Sequence, residues 1–196
     1  MVTIEIVPGL VVDETMYEAT AAGVAAYVPE LGPLSWTQFV NPARWWLNPD
    51  QDGNCYKAEL SLSANVWVNK WELPDIRGGQ KPRPHSHPWR FESRLLTGGY
   101  TENRYERTET ATSGTPPVRE LLGIEHRTGE LNTVEGWEYH EIPEVHEPGR
   151  TLSLMICGPG VEGAWGYLDV STGKHTPGAP DPDYEARLRA LNPHRY

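Results

Sequence analysis

The sequence predicts a mainly β, single-domain sandwich or barrel with helices at its two ends. Three observations carry this. The 196 residues suffice for one well-buried core and are too few for two ordinary domains. The 18 Pro and 19 Gly are scattered, as punctuation between many short strands would be. Alternating β-branched and aromatic runs start near residue 56 and recur, with turn signals between them, to about residue 170.

Residues 2–12 alternate weakly and read as a short strand. DETMYEATAAGVAAY (13–27) reads as a helix with Asp13 as N-cap, ended by Pro29 and Pro33. Residues 35–47, rich in Trp, read as a second helix or an irregular segment. The run 64–72 alternates as a strand does, GGQKPRP stops it, and 84–97 is extended again. A Gly-Gly turn restarts the pattern at 98–105, and polar 106–118 reads as a long loop. Strands are expected near 119–127, 131–142, 151–157 and 163–170, a Pro-rich loop over 175–181 and a short helix over 183–191. This gives an N-terminal segment (1–55) packed on a barrel (56–175), followed by a tail (176–196).

Hydrophobic residues at 38% and charged residues at 22% mark a folded chain. A net charge of −10 argues against nucleic acid and anionic membranes as partners. Two cysteines, Cys55 and Cys157, imply no disulfide framework. The N-terminus lacks the basic flank and apolar run of a signal peptide, and no stretch suits a membrane span, so a soluble cytoplasmic protein is expected. Nucleophile elbow, Walker loop, dinucleotide fingerprint and CxxC zinc motifs are absent from the sequence.

His85 and His87 carry the chemistry. Residues i and i+2 of a strand share a face, so one short strand offers two imidazoles side by side to a metal. The surroundings read G-x5-H-x-H-x4-E-x6-G, from Gly79 through His85, His87 and Glu92 to Gly99. This resembles the first motif of the cupin superfamily at every fixed position. The resemblance implies a double-stranded β-helix, or jelly-roll, barrel in which Glu92 completes the metal shell and the glycines close turns at positive φ.

A later strand must supply a third histidine, His140 or His146. The family's second motif is only imitated, by Pro143 and His146. The run from His140 to Pro159, HEIPEVHEPGRTLSLMICGP, resembles the third-ligand region of cysteine dioxygenase and related thiol dioxygenases, with Ser153-Leu154 in the strand and Gly158-Pro159 ending it. That favours His140 and leaves His146 in the connecting turn. Strand parity agrees, since His140 then shares a face with Ile142 and turns Trp137 and Tyr139 the other way, towards the N-terminal helices. His126, His175 and His194 read as surface residues. HPWRFESRLLTGGYTE together with the later Trp165-Gly166-Tyr167 also resembles bacterial cupin-domain proteins of unassigned activity.

The thiol dioxygenase likeness fails at three places. Glu92 stands where the animal enzymes carry a cysteine. Ala58 falls where they hold the substrate carboxylate with Arg, and Lys57 would point to the opposite face. Their active-site Tyr falls at Cys157. Cysteine is therefore not the expected substrate. Arg83 shares the parity of His85 and His87 and is expected to face inward, as is Arg94 with Glu92. Tyr56, Trp67 and Trp165 are expected to line the cavity.

Together the motif and the resemblance imply a metal cupin with His85, His87, His140 and Glu92 as ligands and Glu92, Tyr56 and Arg83 as catalytic residues. Iron, as Fe(II), is the expected ion, with Mn, Ni and Zn the alternatives. The expected activity is that of an oxygenase or dioxygenase using O2 on a small organic molecule. The alternatives are a non-redox lyase, isomerase or cyclase, and a non-catalytic binding module. Proteins resembling this one often form homodimers, and a dimer is expected here.

Overall fold

The computed structural model describes residues 2–77, 79–108, 117–162, 165–179 and 181–196. Thr3–Val7 (β1) and Leu10–Asp13 (β2) pair as an antiparallel hairpin. Asp13 then caps the helix Glu14–Tyr27 (α1), its carboxylate accepting from the Met16 N–H at 3.0 Å. Arg150 reaches the same carboxylate at 3.0 Å and ties the start of the helix to the barrel.

Only one helical turn, Trp36–Phe39 (α2), forms in the segment expected to be helical or irregular. Pro42 opens a 3-10 turn, and the backbone then extends as Trp45–Pro49 (β3). This strand pairs with Cys55–Ser61 (β4), so the sheet begins before residue 56.

The remaining strands are Val66–Trp71 (β5), His85–Ser86 (β6), Phe91–Thr97 (β7), Gly99–Arg107 (β8), Val118–Arg127 (β9), Leu131–Val134 (β10), Tyr139–Val145 (β11), Thr151–Cys157 (β12), Gly166–Asp169 (β13) and Lys174–Pro177 (β14). The helix Pro182–Leu191 (α3) follows. The strand β14 occupies part of the expected 175–181 loop. Of the expected loop 106–118, residues 109–116 lie outside the described residues. No helix among the described residues is long and apolar enough to cross a membrane.

Two six-stranded sheets form, in the orders β10-β7-β12-β5-β4-β3 and β14-β13-β6-β11-β8-β9. Every pairing is antiparallel. Within them, β10-β7-β12-β5 faces β6-β11-β8-β9, and most successive strands alternate between the sheets. That winding is the jelly-roll, or double-stranded β-helix.

The first sheet is buried on both faces, so β12 is buried along nearly its whole length, Thr151 and Ser153 included. Its outer face (Ala58, Leu60, Val66, Val68, Leu152, Leu154) packs on Leu10, Val12, Met16, Val24 and Phe39 from the N-terminal segment. Each such side chain contributes about 1.5–3 kcal/mol by leaving water. The helix comes so close to β7 that a Cβ at Gly23 would stand 2.6 Å from the Leu96 side chain.

The inner face holds Trp71 and Leu95 against Tyr100, Ile142 and Val145 at one end. At the other end Phe91, Val134, Met155 and Cys157 pack with Trp67 and Trp89. Tyr139 lies with Tyr105, Val118 and Leu168 on the outside of the second sheet, not under the N-terminal helices, and Trp137 is exposed.

Side chains beyond α3 serve the edge of the first sheet. Asn192 accepts from the Leu47 N–H and donates to the Leu47 carbonyl, both at 2.7 Å. His194 bonds the Trp45 carbonyl at 3.0 Å, and Arg195 bonds that of Ala43.

Candidate metal centre

The strand β6 is two residues long and lies between β11 and β13, with His85 directly opposite His140. His87 follows the strand and packs edge-on against Phe91, with ring centroids 4.9 Å apart. The ligating nitrogens of His85, His87 and His140 all lie within 4.8 Å of one another, and all three residues are buried.

Each ring is held by a partner that can play only one hydrogen-bonding role. The Arg83 carbonyl accepts from His85 Nδ1 at 2.9 Å, which leaves Nε2 as a lone pair. The Glu102 carboxylate accepts from His140 Nδ1 at 2.7 Å, with the same result. The Arg77 guanidinium, which can only donate, points Nη2 at His87 Nε2 at 3.3 Å. Three Nε2 atoms therefore converge, and that of His87 already accepts from Arg77, a bond that an ion would displace.

The His87 and His140 Nε2 atoms stand 3.0 Å apart. That separation suits two adjacent ligands, each about 2.1 Å from one ion. His85 Nε2 is buried with no hydrogen-bond partner among the described residues. Burial, then the Arg77 charge, pushes His85 and His87 well below the ordinary histidine range. Both are thus neutral at neutral pH, as metal ligands must be. These residues fit a metal ion.

Sequence reasoning missed the supports of the three rings. Glu102 is fully buried, and both of its oxygens are used. One accepts from His140 and, at 3.2 Å, from Asn132; the other accepts from Arg104 at 2.8 Å and His126 at 3.0 Å. Burial opposes its charge, but hydrogen bonds from His126 and His140 prevail and hold its carboxyl well below the usual range. His126 is therefore a buried network member and not a surface histidine. Asp75, from the loop between β5 and β6, is also buried, with Oδ2 3.6 Å from His85 Nε2 and 3.5 Å from Arg77 Nε. Burial alone would raise its pKa, but the Arg77 charge, then Lys57, lowers it. Arg77 adopts φ 45°, a strained region for a residue with a side chain.

Several expectations require correction. Glu92 lies on the face of β7 opposite Phe91, outside the histidine cluster, and pairs with Arg90 at 2.9 Å. Arg83 is exposed and stacks on Tyr167 at 4.1 Å, so only its backbone carbonyl serves the site. Arg94 points outward onto the Tyr27 ring. Ala58 faces the outer core, and Lys57 takes the inner face, its ammonium 5.0 Å from the Trp71 ring. Gly79 and Gly99 do not have positive φ; Gly98, at φ 64°, makes the turn. Gly99 instead permits close approach, since a Cβ there would stand 2.4 Å from the His126 carbonyl.

Tyr56 is buried, and its hydroxyl pKa is raised by burial and then by the Asp75 charge. Trp67 lies on the inner face against Trp89, whereas Trp165 packs on Tyr167. His146 lies in the turn after β11, bonded to Thr101 at 3.0 Å. His175 bonds the Tyr139 hydroxyl at 2.9 Å.

Strand order and the three-histidine cluster together define a jelly-roll barrel whose buried imidazoles could hold a metal ion. No family model matches the chain, and no curated protein matches it in sequence. Among solved structures it is similar to a cupin superfamily protein from Desulfitobacterium hafniense DCB-2, at 13% identity and TM-score 0.30, over 54% of this chain and 76% of that one. It is also similar to the DMSP lyase DddQ from Ruegeria pomeroyi DSS-3, at 17% identity and TM-score 0.30, over 57% of this chain and 47% of that one. Hazelnut (Corylus avellana) vicilin matches over 47% of this chain at 10% identity and TM-score 0.34, and the match spans only 22% of the vicilin chain.

Proposed function

We propose that this protein is a mononuclear metal enzyme, an Fe(II)-dependent oxygenase of the dioxygenase kind that acts on a small organic molecule with O2. The observation that carries the reading is the convergence of three buried imidazoles, two of them fixed through Nδ1 by an acceptor that leaves Nε2 as a lone pair. His85, His87 and His140 would hold the ion. The chemistry iron supplies when bound is one-electron and O2 chemistry.

The protein's own part is positioning and exclusion of water. Glu102 and the Arg83 carbonyl keep two rings from rotating, so the ligand atoms need not reorganise. Phe91, Val134, Met155 and Cys157 form an apolar cluster at that end of the barrel, with Phe91 against the His87 and His140 rings, which disfavours bulk water beside the centre. Three neutral ligands cancel none of a dication's charge, which favours a substrate with an anionic donor atom.

One observation favours a second reading, a non-redox lyase, isomerase or cyclase. Lys57 and Glu59 form a 3.0 Å ion pair on the inner face of β4 and place a proton donor and acceptor inside the barrel. Metal analysis of anaerobically purified protein, followed by O2 uptake after Fe(II) loading against a panel of small molecules, separates the two. About one iron per chain with substrate-dependent uptake supports the oxygenase. Turnover without O2, sustained by Zn or Ni, supports the second reading, and failure to bind any metal removes both.

A further inference from the structure

We infer that Trp67, Trp89 and Asn69 form a recognition strip for a small 2-hydroxy acid, leading to the histidine cluster. The inference rests on the small-molecule reading above and names a substrate class for that site.

The strip is continuous. The Trp89 ring lies beside His87, with centroids 6.4 Å apart, and meets Trp67 edge-on at 6.2 Å. Asn69 stands two residues beyond Trp67 on β5 and so shares its inward face. Both indoles are half-buried, whereas Asn69 is 2% exposed.

Along this strip hydrogen-bonding groups go unmet. Trp67 Nε1 and Trp89 Nε1 are buried donors with no partner among the described residues, and Asn69 Oδ1 is a buried acceptor in the same condition. The edge-on pairing lets at most one indole N–H turn to the other's ring face. The Asn69 NH2 has only long contacts, 3.5 Å to Ser153 Oγ and 3.9 Å to Met155 Sδ. Ser153 is already engaged, since it accepts from Trp71 Nε1 at 3.2 Å. Buried polar groups are nearly always bonded in folded proteins, so three open ones on one strip call for a further partner.

The donors and the acceptor define that partner. Two indole N–H groups need oxygen lone pairs, and a carboxylate supplies them. It also brings the anionic donor atom that an ion on three neutral imidazoles favours. The amide needs a neighbouring group that suits an oxygen or an NH2, whichever end is turned to it. A hydroxyl donates and accepts, so it meets either; an ammonium can only donate. An ammonium buried there would also need a counter-charge. Glu59, the cross-strand neighbour of Asn69, already pairs with Lys57 at 3.0 Å. A 2-hydroxy acid therefore fits where a 2-amino acid or a plain carboxylic acid does not.

The test uses the full chain labelled with 15N-tryptophan, whose eight Trp residues each give one indole N–H signal. Trp67→Phe and Trp89→Phe identify two of them. Racemic lactate, propanoate and racemic alanine are titrated into metal-free and zinc-treated protein, and zinc uptake is measured separately by plasma mass spectrometry. Lactate should move the Trp67 and Trp89 signals downfield and leave the others in place. Propanoate and alanine should bind at least about 5-fold more weakly, the factor for leaving a buried polar group unmet. Asn69→Leu should fold no less stably than wild type, because no short bond is lost, and should bind lactate and propanoate alike. Lactate that moves neither signal in either form of the protein overturns the inference and leaves the strip to water. So does wild type that binds lactate no better than propanoate or alanine, or an Asn69→Leu protein that keeps the preference. The comparison of acids needs only wild type, so it stands even where a variant fails to fold. Protein that takes up no zinc overturns the metal reading, and the metal-free titration still decides the inference.

Discussion

Replacing Glu102 by glutamine keeps the side chain's size but removes its charge and turns one acceptor oxygen into a donor. Both consequences can be sized from the contacts. One carboxylate oxygen serves His140 at 2.7 Å and Asn132 at 3.2 Å; the other serves Arg104 at 2.8 Å and His126 at 3.0 Å. Turned towards the first pair, the new NH2 faces the His140 N–H and the Asn132 amide. Turned towards the second, it faces Arg104, which cannot accept. Either way at least one hydrogen bond to a charged group is lost and those that remain lose the charge, each such bond being worth about 1.5–3 kcal/mol. The expected loss of stability is about 3–5 kcal/mol, the range for breaking a buried ion pair from one side. Urea denaturation of the metal-free protein measures it. Metal affinity should fall about 10–100-fold as His140 loses its orientation. A glutamine variant within about 1 kcal/mol of wild type, with unchanged metal affinity, would refute the claim that this network holds His140.

Other outcomes are open to measurement. His85→Ala, His87→Ala and His140→Ala should each lose most of the bound metal, and His146→Ala should keep it; plasma mass spectrometry of the purified variants decides. Burial pushes the Cys55 and Cys157 thiols up to about 12, so neither should react with a thiolate-selective reagent at pH 8 until denaturant is added. Burial pulls Asp13 up, but bonds from Thr15, the Met16 N–H and Arg150 outweigh it, and its pKa is lowered on folding. Its contribution to stability is therefore complete above the ordinary aspartate range and is lost as pH falls through the folded value. Denaturation midpoints from pH 7 to pH 3 should drop less steeply in Asp13→Asn than in wild type.

The histidines were legible because two of them obey strand parity inside a motif of fixed spacing, and the third opens a strand whose apolar face includes Ile142. Glu92 was misread because the motif was followed by position and not by parity: His85, His87 and Phe91 are an even number of residues apart and share the inner face, whereas Glu92 falls on the other. Glu102 gave no signal, standing as one polar residue in a polar run, GYTENRYER, whose inner members appear only once β8 lies against β9 and β11. His126 was hidden by its strand, which is mostly exposed along its length. Asp75 and Arg77 sit in a loop, where periodicity says nothing about direction. The N-terminal helix was readable from its cap and composition. The strand β3 was not, because a Pro- and Trp-rich stretch suits several local conformations, and pairing with β4 selects one of them.

The bonds from Asn192, His194 and Arg195 to the backbone of Ala43, Trp45 and Leu47 act as a seal on an open seam. An outermost strand offers a row of unmet amides and carbonyls, on which any extended chain can lay itself. Here side chains stand in for the missing neighbour and leave nothing regular to copy. Substituting these three residues would expose that row without touching His85, His87 or His140, and the cost would fall on colloidal behaviour: a protein with its histidine cluster intact, yet prone to self-templated growth from one edge.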